Sequence, residues 1–120
     1  MSEYQRLRVS EIGQVTVVRF VDRRITDEAV IQQLGGELAK LIEHDKRAAI
    51  LLSFENVEFL SSAALGKLIT LDKKAKAASA KLKLTSIRPE IYEVFTITRL
   101  DKLFDIRESE AAALAAFNTD

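Results

Sequence analysis

The segment Val57-Glu58-Phe59-Leu60-Ser61-Ser62-Ala63-Ala64-Leu65-Gly66 places two adjacent hydroxyls between an apolar strand and an amphipathic helix. A serine at a helix start accepts hydrogen bonds from first-turn amides, which have no partner inside the helix. The same amides and the helix dipole would stabilise a phosphate on that oxygen. We therefore expect Ser61 and Ser62 to build a helix start at a surface that is open to modification.

The residues on both sides of this segment indicate which elements it joins. Residues 48–52 form a continuous apolar run, which is typical of a central strand covered on both faces. After the serines, apolar residues recur at the three- and four-residue spacing of an amphipathic helix. They are Ala64, Leu68, Leu71, Ala75 and Ala78. The hydroxyls are thus predicted to lie at the carboxyl end of a parallel strand.

The remaining patterns predict an α/β fold. Two strands around Gly13, at 7–9 and 14–21, form an antiparallel hairpin, and a helix with a 3.6-residue apolar period ends near His44. Further strands are expected at 81–87 and 103–106. Between them Pro89 starts a helix reaching about Leu100, with Ile91, Val94, Phe95 and Thr98 inside, and an alanine-rich helix ends the chain.

The predicted order is ββαβαβαβα. Strands that alternate with helices favour a mostly parallel, mixed sheet of five strands with four helices, because parallel neighbours need a helix-length connection. A chain of 120 residues is long enough for one ordinary core and too short for two, so residues 1–120 are expected to form a single domain.

The amino-acid composition bears on the protein's location in the cell and on the kinds of partner it can bind. The chain has 18 Lys plus Arg against 18 Asp plus Glu, so no overall field attracts nucleic acid. Charged residues make up 30% and hydrophobic residues 48%, the balance of a soluble globular protein without a membrane segment. Residues 1–6 are polar and lack the apolar core of a signal peptide, which favours the cytoplasm.

Few residues are suited to catalysis or metal binding. There is no cysteine and a single histidine, His44, which is expected near a helix C-terminus. Asp22, Asp27 and Glu28 match no metal-ligand spacing. Gly35-Gly36 lacks the strand-to-helix setting of a phosphate loop. We therefore expect a protein that is not an enzyme and that holds no metal or cofactor.

Gly66 indicates that another part of this chain or a partner comes close to the helix backbone there, because glycine inside a helix costs about 1 kcal/mol relative to alanine. Either a partner's backbone or this protein's own neighbouring loop could use the space. Helical spacing puts a candidate partner-binding set on one face. That set is Ser62, Gly66, Ile69, Thr70 and Lys73.

Two separated segments resemble the STAS domains of bacterial anti-sigma factor antagonists, and the similarity runs from about Leu7 to Phe117. In that family the third strand is followed by an aromatic, an aliphatic, Asp, Ser, Ser or Thr, Gly, Leu and Gly. Here the corresponding row is Phe59 to Gly66. The later row, Phe95 to Ile106, is similar to the family's Ile-Thr-Gly-Leu turn and Leu-Phe strand, with Arg99 where glycine is usual.

This resemblance implies a signal-transduction protein that regulates transcription. Unphosphorylated, it would bind an anti-sigma factor of the GHKL kinase type and so release a sigma factor. The kinase would phosphorylate Ser62, the residue at the family's phosphoacceptor position, with Ser61 as the alternative acceptor. A PPM-type phosphatase would restore the hydroxyl. The resemblance also includes the loop before the first helix, which adds Asp22, Arg23, Arg24 and Thr26 to the expected partner surface.

Three residues differ from the family's motif after the third strand, and these differences leave other functions open. Ser61 replaces the family's aspartate, Ala63 its second hydroxyl and Ala64 its glycine. A constitutive STAS subunit of a stressosome-like or lipid-transport assembly would need no phosphoserine. A sensor of a nucleotide or small molecule could use the crevice at the carboxyl ends of the parallel strands, beside the loops at Asp22 and Ser61.

Overall fold

A mixed sheet of five strands forms the centre of the molecule in the computed structural model, which describes residues 4–119. Its strands are β1 (Leu7–Ile12), β2 (Val15–Phe20), β4 (Ala49–Ser53), β6 (Lys81–Thr85) and β7 (Asp105–Arg107), in the spatial order β1-β2-β4-β6-β7. Only β1 and β2 pair antiparallel, around a turn in which Gly13 has a φ of 61°. The other neighbours are parallel.

Four helices cover the sheet, as the sequence predicts. They are α1 (Glu28–Glu43), α2 (Ser62–Ala77), α3 (Pro89–Ile97) and α4 (Glu110–Thr119). The predicted α/β class, with a five-stranded mixed sheet and four helices, is confirmed. Within residues 4–119 none of these helices has the length and apolar character needed to cross a membrane.

The alternation of β4 shows how the two faces of the sheet are used. Ile50 and Leu52 point into a large cluster shared with α1, α2 and α3, whereas Leu51 points into a smaller one beneath α4. All three side chains are fully buried. The continuous apolar run is therefore a strand covered on both faces, as expected.

A series of aromatic contacts ties the large cluster together. Phe20 lies 4.9 Å from Phe54, Phe54 lies 6.4 Å from Phe95, and Phe95 lies 5.9 Å from Phe104, measured between ring centroids. The last two pairs are edge-to-face, the arrangement that ring quadrupoles favour. The contacts hold α3 against the ends of β2 and β4.

Two short strands escaped the sequence analysis. β3 (Arg24–Ile25) and β5 (Phe59–Leu60) pair in parallel as a separate two-stranded sheet. Neither is long enough to show an alternating pattern. Their pairing is a tertiary feature, and it brings the loop before α1 against the loop before α2.

The later part of the chain departs from the predicted boundaries. α3 ends at Ile97, a 3-10 helix covers Leu100–Lys102, and the last strand is Asp105–Arg107 instead of 103–106. Arg99 makes the turn with a φ of 63°, the left-handed conformation that glycine adopts most easily. This accounts for the glycine that the resembling family usually has here.

Three residues that the sequence assigned to buried helix stripes are exposed instead. Val94 and Thr98 are exposed, because α3 is short and only Ile91 and Phe95 face the core. Ala78 is exposed as well, since it is the C-cap residue of α2 and no longer part of the packed face.

Candidate functional site

Ser61 is the residue that starts α2. Its backbone is extended, and its hydroxyl oxygen accepts a hydrogen bond from the amide of Ala64 at 3.2 Å. The amide of Ser61 in turn donates to the carbonyl of Ile25 at 3.1 Å. Ser61 is therefore a true N-cap that is anchored on both sides, and its hydroxyl is already in use.

Ser62 occupies the first position of α2 and is exposed. No hydrogen bond involving its hydroxyl is found among residues 4–119. The two adjacent serines thus have different roles: Ser61 builds the helix start, and Ser62 presents a hydroxyl to solvent.

The small two-stranded sheet places the loop at 22–26 beside this helix start. The carbonyl of Arg23 accepts hydrogen bonds from the amides of Glu58 and Phe59, at 2.7 and 3.2 Å. The guanidinium of Arg24 lies 5.2 Å from the centroid of the Phe59 ring, within the range of a cation–π contact. The two loops that sequence analysis named separately are thus one structural unit.

An open groove of about 600 Å³ lies between the first turns of α1 and α2. Its lining residues are Thr26, Glu28, Ile31 and Gln32 from the first side, and Ser61, Ser62, Ala63, Gly66, Lys67 and Thr70 from the second. Five of the expected partner-binding residues therefore meet at one surface, namely Thr26, Ser61, Ser62, Gly66 and Thr70.

The other predicted residues lie outside the groove lining. Ile69 is half-buried and packs against the large core cluster, and Lys73 is exposed further along α2. Asp22 forms an ion pair with Arg6 at 3.3 Å, and Arg23 pairs with Glu58 at 3.6 Å. The charges of the loop are thus partly satisfied within the chain.

Gly66 faces open space. Apart from its chain neighbours and the nearby backbone of α2, a Cβ atom at this position would meet no atom within 4 Å, so packing against other parts of the chain does not explain the glycine. The alternative in which this protein's own loop fills the space is therefore wrong. A close internal contact exists instead at Gly35, where a Cβ would lie 2.8 Å from Cδ of Lys67.

Gln32 and Lys67 are groove residues that sequence analysis missed. The ammonium of Lys67 donates to Oε1 of Gln32 at 3.2 Å, which links the two helices across the groove. The signal available in the sequence was Gly35, a helix-interior glycine whose partner is visible only once α1 and α2 are packed together.

The two carboxyl groups with lowered pKa values, those of Asp45 and Asp105, lie away from the groove. Hydrogen bonds from His44 and Tyr4 lower the pKa of Asp45, at the C-terminus of α1. Hydrogen bonds from Arg107 and Lys83 lower the pKa of Asp105 on β7. In the part of the chain that is described, no three acidic or imidazole side chains come together as a metal site.

Residues 6–113 match the family model of the STAS domain. The chain belongs to the STAS domain family. Among STAS relatives, BtrV of Bordetella bronchiseptica, a candidate anti-sigma factor antagonist, is 30% identical over 95 residues, which are 79% of this chain and 81% of BtrV.

Solved STAS structures extend the comparison. An anti-sigma-factor antagonist domain protein from Planctomyces limnophilus is 26% identical, with a TM-score of 0.78 over 92% of this chain and 95% of that one. A candidate anti-sigma factor antagonist from Thermotoga maritima gives a TM-score of 0.81 over 92% of both chains. At 15% identity the latter supports the fold alone.

Proposed function

We propose that this STAS protein is a cytoplasmic anti-sigma factor antagonist whose binding surface is switched by phosphorylation of Ser62. In its unmodified form it binds an anti-sigma factor of the GHKL kinase type and frees a sigma factor. The kinase transfers the γ-phosphoryl group of ATP to Oγ of Ser62, with ADP and the hydroxyl proton released. A PPM-type phosphatase hydrolyses the phosphoserine and restores the hydroxyl.

The observation that carries this proposal is that the hydroxyls of Ser61 and Ser62 have different roles. Ser61 uses its oxygen to cap α2 at 3.2 Å from the Ala64 amide, whereas the Ser62 hydroxyl is exposed and makes no hydrogen bond within residues 4–119. A kinase can reach Ser62 without breaking a cap. In Ser61 the corresponding oxygen already accepts the hydrogen bond from the Ala64 amide.

The proposed partner surface joins the groove to the neighbouring loop and the α2 residues beyond it. Its centre is Ser62 with Gly66, where the absence of a side chain leaves room for a partner's backbone. Its flanks are Asp22, Arg23, Arg24 and Thr26 on one side and Ile69 and Lys73 on the other. A phosphate at the centre adds nearly two negative charges to a packed interface, and the cost of burying them separates the partners.

The experiment is incubation with the cognate GHKL kinase and ATP, followed by mass spectrometry of the intact protein and its peptides. Wild type and Ser61→Ala should each gain one phosphate on Ser62, and Ser62→Ala should gain none. The Ser61→Ala protein is the matched control, because it removes the adjacent hydroxyl. Phosphate on Ser61, or on neither serine, would overturn the assignment.

Two other outcomes would favour the alternative functions, a constitutive assembly subunit or a nucleotide sensor. A protein that stays unmodified yet forms a stable complex with other STAS proteins would be a constitutive assembly subunit. Binding of a nucleotide in the absence of a kinase would indicate the sensor function.

A further inference from the structure

The contact between α1 and α2 at Gly35 and Lys67 holds one side chain in a defined path. A Cβ at Gly35 would lie 2.8, 3.2 and 3.3 Å from Cδ, Cε and Cγ of Lys67. The aliphatic stem of Lys67 therefore crosses α1 directly over the glycine. An alanine at position 35 would displace that stem, which is flexible.

The Lys67 side chain extends toward the end of the groove that contains Ser62. α1 and α2 both follow strands that run parallel in the sheet, so both helices start at the same edge. The Lys67 ammonium reaches Gln32, three residues or about 4.5 Å nearer the start of α1 than Gly35. Long helical side chains lean toward the N-terminus, which brings this cation back toward the first turn of α2.

The charges in the groove leave this cation available. Among the described residues that line the groove, Lys67 is the one cation and Glu28 the one anion. The partner of Lys67 is the neutral Gln32 amide, at an exposed hydrogen bond of 3.2 Å. Such a contact is easily exchanged, because an ion pair with a phosphate is the stronger charge-assisted interaction.

We propose that Lys67, laid across Gly35, is the counter-ion of a phosphate on Ser62. Modification draws the ammonium from Gln32 to the phosphate and closes the groove with an ion pair inside the chain. The inference rests on the proposed phosphorylation of Ser62 and adds a second effect to it. The phosphate repels the partner, and it also takes a cation away from the surface that the partner would contact.

The test uses protein with phosphoserine encoded genetically at position 62, which needs no kinase. The titration of the phosphate is followed by phosphorus NMR in the folded protein. Lys67→Met is expected to raise the pKa of the phosphate by about 0.5, because a nearby cation favours the more charged form. Gly35→Ala, which displaces the stem, should change that pKa in the same direction by a smaller amount.

Lys73→Met is the matched control, since Lys73 is a lysine of the same helix that does not line the groove. It should leave the titration unchanged, and circular dichroism should show that all variants remain folded. An unchanged phosphate pKa in Lys67→Met, or an equal rise in Lys73→Met, would overturn the ion pair. Failure of the cognate kinase to modify Ser62 would instead overturn the proposed function, and the titration would still report on Lys67.

Discussion

At the scale of single residues, neighbouring positions with the same side chain have unlike physical roles. Ser61 and Ser62 are adjacent serines, yet one hydroxyl caps α2 and the other faces solvent. A sequence shows that a cap is needed at this junction and leaves open which serine supplies it. The choice is made by the extended backbone of Ser61, which the hydrogen bond from its amide to Ile25 fixes in place.

The stability of alanine variants should separate these roles. Ser61→Ala should lower the free energy of unfolding by about 1 kcal/mol, because the Ala64 amide loses its acceptor. Ser62→Ala should change it by no more than about 0.5 kcal/mol, as for other exposed positions. Urea unfolding of both variants beside wild type measures the difference. Equal losses in the two proteins would mean that the cap is shared.

Backbone conformation explains a second residue-scale feature. Arg99 adopts a φ of 63°, so the chain makes a left-handed turn between α3 and the 3-10 helix without a glycine. The left-handed turn therefore forms although arginine stands where the resembling family usually has glycine. The sequence shows the substitution, whereas the conformation of the turn is visible only in the structure.

At the scale of elements, α4 covers a sheet face that is partly polar. Beneath it Lys83 is 3% exposed, with its ammonium 2.7 Å from Oδ2 of Asp105 and 5.0 Å from the centroid of the Phe117 ring. The sequence predicted a strand at 81–87 and assigned Lys83 no partner. The partner comes from the next strand in space, β7, which the sequence analysis placed at 103–106.

Asp105→Asn should test this contact through its dependence on pH. The pKa of Asp105 is lowered below 3.8 in the folded protein, mainly by Arg107 and also by Lys83, so its carboxylate stabilises the fold above that pH. The stabilisation is lost as the pH falls through the lowered value. We expect a loss of about 1–2 kcal/mol near neutral pH, less than for a fully buried pair because the Asp105 side chain is 37% exposed.

Urea unfolding at several pH values provides the measurement. The difference between wild type and Asp105→Asn should stay constant between about pH 5 and 8 and should shrink at acid pH, where the wild-type carboxyl group is protonated. A difference that is constant down to the acid range would show that the loss comes from packing, with no contribution from the charge.

At the scale of the whole molecule, the sequence supported the architecture better than the site. Apolar periods predicted α1 and α2, and a continuous apolar run predicted β4, because burial in the core dictates those patterns. The pairing of β3 with β5, the contact of Lys67 with Gly35 and the exposure of Val94 depend on elements that meet only in the folded chain. Ser62 and Gly66 could be proposed as site residues from the sequence because a helix start and a costly glycine leave local signals.

Our central proposal is that the groove between α1 and α2, which Ser62 lines, is the surface through which this STAS protein binds its anti-sigma factor. Gly66→Leu fills that surface, and Gly36→Leu places the same side chain on an exposed part of α1 outside the groove. At both positions a Cβ meets no atom within 4 Å, so both variants should fold and gain up to about 1 kcal/mol of helix stability.

The decisive measurement is the dissociation constant for the cognate anti-sigma factor kinase, determined by calorimetry for wild type and both leucine variants. We predict at least a hundredfold weaker binding for Gly66→Leu, equivalent to about 2.7 kcal/mol, and unchanged binding for Gly36→Leu. Wild-type affinity in a folded Gly66→Leu protein would contradict the claim and remove the groove from the interface.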